Sequence, residues 1–191
     1  MRKRINSVFR TAVLVFTITT IFVFSGCVKD DPVVPPNNMT SQEYLDQAIA
    51  AVDAAQLAKD LKIIDDSLSI AGLTDKVLTE PKGVRYIINT IGVGGATPTL
   101  DDAIQIKYTG KLLSTGEQFD AGDNLKAYLF SLIIGFQTTM PLLPVGTDVT
   151  LYIPSGYGYG PTGVKDKTTG QIIIPANSNL VFHIEFLNIL K

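Results

Sequence analysis

The stretch AIQIKYTGKLLSTGEQFD, residues 103–120, opens as a strand and closes on a turn. Apolar and polar residues alternate along Ala103 to Leu113, so successive side chains of an extended chain point to opposite faces, and Ser114-Thr115-Gly116 supplies the turn chemistry. Short alternating runs recur on either side, at Val84 to Ile91, Val149 to Ile153 and Leu180 to Leu190, with turn signals at Gly92 to Pro98 and Lys165 to Gly170. In the last run Leu180, Phe182, Ile184 and Phe186 share one face, and Val181, His183, Glu185 and Leu187 the other. From Gly83 onward the chain therefore predicts an antiparallel sheet. His183 falls on the outer face with no acid or hydroxyl partner in any motif, and it is assigned no role.

Towards the N-terminus the pattern changes. Thr40, with Glu43 three residues on, has the form of a capping box, and the alanine- and leucine-rich segment beyond it predicts one or two helices over Ser41 to Ala71. Leu57, Leu61, Ile64 and Leu68 recur at helical spacing on one face, and Gly72 is a natural stop. Such a stripe must be covered, and two covers stay open: the following domain, or a copy of the same helix in a dimer. The expected organisation is a helical extension over 40–82 ahead of a β-rich domain over 83–191.

Composition narrows the function classes. With 191 residues, 46% of them hydrophobic, the chain can bury one core with some extra helix, and two full-sized domains would not fit. The net charge of −2 comes from interspersed acids and bases without a basic stripe, so nucleic acid is not an expected partner. One cysteine makes no internal disulfide, and with a single histidine it makes no zinc site of the usual kind, so neither metal nor cofactor is expected. A Gly-x-Ser-x-Gly elbow, a phosphate-cradling glycine loop and an obvious carboxylate pair are all missing from the sequence.

The first residues set the address. Met1-Arg2-Lys3-Arg4 is basic, Ala12 to Phe24 is an apolar run shorter than the roughly 18–20 residues of a spanning helix, and small residues precede Cys27. This predicts a cleaved export signal over 1–26. Phe24-Ser25-Gly26-Cys27 resembles the lipobox of bacterial lipoproteins, which implies that Cys27 becomes an acylated N-terminus held on the membrane by its lipid. The implied location is the bacterial cell envelope, lipid-anchored at the outer membrane. Val28-Lys29-Asp30-Asp31 also resembles the charged signals that send some lipoproteins to the cell surface. The proline-, aspartate- and asparagine-rich stretch that follows reads as an extended tether over 27–39.

In the β-rich part the recurring chemistry is aromatic. Tyr108, Phe119, Phe136, Tyr152, Tyr157, Tyr159 and Phe182 sit at strand ends and beside glycines, which on composition alone reads as core. Their order carries more. Lys107-Tyr108-Thr109-Gly110-Lys111-Leu112, Gly116-Glu117-Gln118-Phe119-Asp120, Ile133-Ile134-Gly135-Phe136, Leu143-Pro144-Val145-Gly146, Tyr157-Gly158-Tyr159-Gly160 and Ile173-Ile174-Pro175-Ala176-Asn177 follow one another with Leu180-Val181-Phe182 behind them. This succession resembles the FKBP-type peptidyl-prolyl cis-trans isomerase family along nearly all of residues 83–190.

The resemblance implies an α+β fold: an FKBP-like antiparallel sheet wrapped around a short helix, preceded here by the N-terminal helical segment. It implies isomerisation of X–Pro bonds in exported proteins, with proline-containing polypeptides as partners; the alternative is a module that binds proline segments without turnover. The implied catalytic set is Tyr108, Phe119, Asp120, Tyr159 and Phe182, and the implied substrate-binding set is Ile133, Phe136, Ile173 and Ile174. Phe136 replaces the family's usual floor tryptophan. The stretch Asn124 to Leu132 is shorter than the family's, so Tyr128 and Phe130 are the candidates for a further aromatic wall. The backbone N–H of Ile174 and the Tyr159 hydroxyl are expected to hydrogen-bond substrate carbonyls. Asp120 is expected to bond Tyr108 or hold the turn, and the loop from Gly163 to Ile172 to sit on the rim.

Overall fold

The structure, a computed structural model, describes residues 38–190. The export signal, Cys27 and most of the tether lie outside the described residues. The strands are β1 (Leu78–Thr79), β2 (Arg85–Thr90), β3 (Ala103–Leu112), β4 (Gln118–Tyr128), β5 (Asp148–Ile153), β6 (Val164–Lys165), β7 (Ile172–Ile174) and β8 (Leu180–Leu190). Six of them form one antiparallel sheet in the order β1-β2-β5-β8-β3-β4, and β6 and β7 form a separate ribbon. The alternation in β8 is realised from Leu180 to Leu187. Leu180, Phe182, Ile184 and Phe186 are buried against the core, and His183 and Leu187 are exposed. His183 does have an acidic neighbour, however: its Nε2 lies 2.8 Å from Asp148 Oδ1.

The inner face of the sheet receives the short helix α3 (Ile134–Thr139). Only a glycine lets this helix approach so closely, because a Cβ at Gly135 would lie 2.6 Å from Cγ2 of Ile153. Val149, Leu151 and Ile153 of β5, Ile104 and Ile106 of β3 and the inner residues of β8 make one core with Phe136 and Met140. The α+β architecture of a sheet wrapped around a short helix is thus the one the sequence implies.

The N-terminal extension is two helices, α1 (Ser41–Ala50) and α2 (Ala54–Ile70). Thr40 caps α1 by the reciprocal bonds of a capping box, Glu43 N–H to Thr40 Oγ1 at 3.2 Å and Thr40 N–H to Glu43 Oε2 at 2.8 Å. Asp53 ends the break between the helices by accepting the amides of Ala55 at 2.8 Å and Gln56 at 2.9 Å. Gly72, at φ +68°, closes α2: its own N–H donates to Ser69 O and the Leu73 N–H donates to Leu68 O. Ile64 and Leu68 are buried with Ile87 of β2, and Leu73, Val77, Leu113 and Tyr152 pack around them. The apolar stripe is therefore covered by the chain's own sheet, on the face away from α3. The extension is less separate than the sequence implies, since residues 78–79, inside it, are the edge strand β1.

Candidate functional site

Phe182, near the start of β8, is the centre of the site. Opposite it on β3 stands Gly110. A Cβ there would lie 2.7 Å from Cζ of Phe119 and 2.7 Å from Cε1 of Phe182, so the absent side chain is what allows the two rings to meet. They do so edge to face, with centroids 5.6 Å apart. Phe136 of α3 meets the same Phe182 ring at 4.9 Å, also edge to face, and Tyr108 of β3 lies at 6.1 Å. Tyr159 completes the group with an edge contact to Phe119 at 6.5 Å. Such tilted and edge-on pairs are the favoured geometry for aromatic rings.

A polar arrangement inside the group is built in the same way. Tyr108 faces Gly122 across the β3–β4 pair, and a Cβ at Gly122 would press within 2.8 Å of its ring. The phenol reaches past it and donates to Asp120 Oδ2 at 2.7 Å, while Asp120 Oδ1 accepts from the Ala121 amide at 2.9 Å. Burial, then the hydrogen bond to Asp120 and that residue's charge, push the Tyr108 phenol well above the ordinary tyrosine range. Tyr108 therefore stays protonated at any physiological pH, as a donor already engaged.

These side chains surround a small pocket open to solvent on one side, lined by Tyr108, Leu125, Leu132, Ile133, Phe136, Tyr159 and Phe182. The lining is almost wholly apolar in character. Five of the residues implied by sequence thus come together at one surface. Phe119 joins through its ring contacts with Phe182 and Tyr159, and Asp120 through Tyr108. Ile174 is buried in the same core and Ile173 packs against it, both on the β7 ribbon, without a share in the lining. The expected wall at Tyr128 or Phe130 is corrected: those rings stack on each other, with centroids 5.4 Å apart, Tyr128 is 53% exposed, and Leu125 forms that side.

Leu125 takes the place through the register of β4. Tyr108 pairs with Gly122 and Ile106 with Leu125, so two steps along β3 match three along β4. The additional residue is a bulge, and it turns Leu125 inward where strict alternation from Gly122 would have placed Asn124. Tyr128, three residues beyond Leu125, then faces out.

A larger cleft lies between the α1–α2 turn and the loop that carries Tyr159. No aromatic ring lines it. The chemistry therefore favours the smaller pocket as the site. Among the described residues no cluster of three His, Cys, Asp or Glu is placed to hold a metal ion.

The fold and site define a class: a small domain whose antiparallel sheet wraps a short helix to make an aromatic pocket without a nucleophile. The chain belongs to the FKBP-type peptidyl-prolyl cis-trans isomerase family. Residues 94–187 match the profile of that family. The chain is 35% identical over 104 residues to FK506-binding protein 1 of Saccharomyces cerevisiae, covering 51% of this chain and 85% of the yeast protein. It is 30% identical over 158 residues to the FKBP-type peptidyl-prolyl cis-trans isomerase FkpA of Aeromonas hydrophila, covering 78% of this chain and 55% of that one. The crystal structure of a peptidyl-prolyl cis-trans isomerase from Pseudomonas syringae superposes with a TM-score of 0.59 at 25% identity, covering 70% of this chain and 96% of that one. The chain spans about half the length of the FkpA relatives it matches.

Proposed function

We propose that this chain is a peptidyl-prolyl cis-trans isomerase that takes the proline of an X–Pro bond into the pocket under Phe182. The observation that carries this reading is the ring cluster itself, Phe119, Phe136 and Tyr108 all set against Phe182 beside an apolar pocket. Rotating an X–Pro amide costs roughly 18–20 kcal/mol because resonance holds it planar, and no covalent bond has to break. Catalysis requires that the site bind the twisted amide better than either planar form. An apolar box does this by removing water from the amide, since the charge-separated planar form loses more solvation than the twisted one. Phe136 is the floor under the proline ring, Tyr108, Leu125 and Phe182 are the walls, and Ile133 closes the side. Tyr159 and the backbone N–H of Ile174 are the groups we assign to substrate carbonyls. Asp120 is already engaged by Tyr108 and by the Ala121 amide, which fits a holding role better than acid catalysis.

The test is a protease-coupled isomerisation assay on X–Pro tetrapeptides. Wild-type chain is expected to accelerate the exchange, and Phe119→Ala to lower kcat/KM at least about tenfold, by opening the side of the box that Phe182 and Tyr159 lean on. A well-folded wild-type chain without acceleration would sink the isomerase reading. A proline-binding module without turnover is the second reading; it is favoured by Leu125 standing where the resemblance leads one to expect an aromatic wall.

The substrates we assign are proline-containing segments of exported polypeptides, with the chain held on the outer membrane by lipid at Cys27. The basic start, short apolar run and Phe24-Ser25-Gly26-Cys27 sequence support that placement. Release of Cys27→Ser into the soluble fraction, with loss of fatty-acid labelling, is the expected outcome. Any dimer made through α2 uses its outward face, where Ile63 and Ile70 are exposed, because the inward stripe is occupied.

A further inference from the structure

Tyr159 is carried by a loop from Pro154 to Gly160 that contains Gly156, Gly158 and Gly160. A segment so rich in glycine loses much conformational freedom when it orders, so the placing of Tyr159 depends on how the loop is anchored as well as on its own contacts such as that with Phe119. Two anchors come from the neighbouring turn. The Asn177 N–H donates to Gly160 O at 2.9 Å, and Asn179 Oδ1 accepts from the Ser155 N–H at 3.0 Å.

Further anchors come from ahead of the segment that matches the family profile. Asp60 of α2 is 1% exposed. Its Oδ2 accepts from the Ser155 amide at 2.9 Å and from the Ser155 hydroxyl at 2.5 Å, and its Oδ1 accepts from Gln56 Nε2 at 2.8 Å. The Tyr157 hydroxyl donates to Lys82 O at 3.0 Å. Val52, in the α1–α2 turn, is seated against Gly156, where a Cβ would lie 2.5 Å from its Cγ1. Burying a carboxylate is costly unless its oxygens are hydrogen-bonded, and a helix that needed only to cover the sheet would do so with Ile64 and Leu68. The donors that Asp60 faces across the interface both belong to Ser155, the first residue of the turn leading to Tyr159.

We propose that Asp60 is a positioning residue of the isomerase site: from α2 it fixes Ser155, and through the loop it sets Tyr159 against the proline pocket. The N-terminal helices are then part of the site. The effect on turnover rests on the isomerase reading, whereas the effect on the loop does not.

The test uses the full-length chain in mild detergent, as wild type, Asp60→Ala and Asp60→Asn, with two readouts. One is the NMR signature of the Tyr159 ring and the Ser155–Gly160 amides; the other is kcat/KM on X–Pro peptides. Asp60→Ala is expected to shift and broaden the loop and Tyr159 resonances while Tyr108 and Phe136 keep theirs, and to lower kcat/KM about tenfold. Asp60→Asn keeps an oxygen for Ser155 and is expected to return both readouts to within about threefold of wild type. Ser155→Ala, which removes one of the two bonds from the other end, is expected to move the same resonances by less, and it decides the matter if Asp60→Ala does not fold. Unmoved Tyr159 and loop resonances in a folded Asp60→Ala or Ser155→Ala chain would overturn the proposal, as would an Asp60→Asn chain as impaired as Asp60→Ala. A wild-type chain without turnover would remove the isomerase reading alone, since the resonances still report whether Asp60 sets the loop.

Discussion

Tyr108 illustrates how one side chain can wall the pocket with its ring and tie it down with its hydroxyl. Its ring walls the pocket, and its phenol is turned away into Asp120. Tyr108→Phe keeps the ring and deletes a bond of 2.7 Å, at a cost of about 1 kcal/mol, or about 2–4 °C in Tm. Turnover is expected to fall less than tenfold, because desolvation by the ring survives. A fall as large as that of Phe119→Ala would give the hydroxyl a direct part in turnover. Glu80 offers a test by pH. It is 4% exposed, and burial pushes its carboxyl above the ordinary 4.5, partly offset by the Lys82, Val84 and Gly83 amides and the Lys82 charge. The folded chain therefore holds this proton more tightly than the unfolded chain does. Stability from Glu80 is greatest below pH 4.5 and declines as pH rises through the raised value. Glu80→Gln keeps an acceptor for the Lys82 amide and removes the charge, whose other titratable neighbour is Tyr157. The variant is expected to melt above wild type at pH 7, with the difference shrinking as pH is lowered towards 4.5 in a series of thermal melts. A difference that stays constant with pH would show that Glu80 is not the group responsible.

Among elements, the β3–β4 pair shows where sequence pattern informs and where it stops. The β3 run was legible because its inward residues Ile104, Ile106 and Tyr108 are buried and alternate with polar ones. β4 was not, because it is the edge strand of the sheet, exposed along most of its length, and little burial is imprinted on Gln118 to Tyr128. Its bulge is also invisible to a period of two, so the sequence points to Tyr128 and Phe130 where the folded chain presents Leu125. The ring set was legible for a different reason: Tyr108, Phe136, Tyr159 and Phe182 sit in short motifs whose order the family shares. The glycine of one such motif makes the element-scale prediction. Gly110→Ala would force a Cβ to within 2.7 Å of both Phe119 and Phe182, an overpacking that costs about 1–3 kcal/mol. With both rings displaced, kcat/KM is expected to fall more than about tenfold while the far-ultraviolet circular dichroism stays that of the wild type. A folded Gly110→Ala chain with full turnover would mean that the Phe119–Phe182 contact does not shape the site.

At the scale of the whole molecule, the question is whether the helices ahead of the family domain are an appendage. The sequence left the cover of their apolar stripe open between the same chain and a second copy; the register of α2 could be read from it, but the face of β2 that α2 meets is a long-range pairing that no local pattern encodes. In the folded chain Ile64 and Leu68 close over Ile87 with Tyr152 beside them, and Asp60 reaches Ser155. A chain begun at residue 83 keeps β2 to β8 and α3, and relatives of about that length indicate that such a domain can fold. It leaves Ile87 without its helix, however, and two large buried side chains at about 1.5–3 kcal/mol each go with that cover. The shortened chain is therefore expected to retain its sheet by circular dichroism, to melt on the order of 10 °C lower or more, and to bind an apolar dye on its newly opened face. Assayed well below its melting point, it should also lose more turnover than its unfolded fraction explains, because the Tyr159 loop has lost its anchors at Val52, Asp60 and Lys82. A shortened chain that melts with the full one would make the helices an appendage, and one that melts lower but turns over normally would make them a cover without a part in the site.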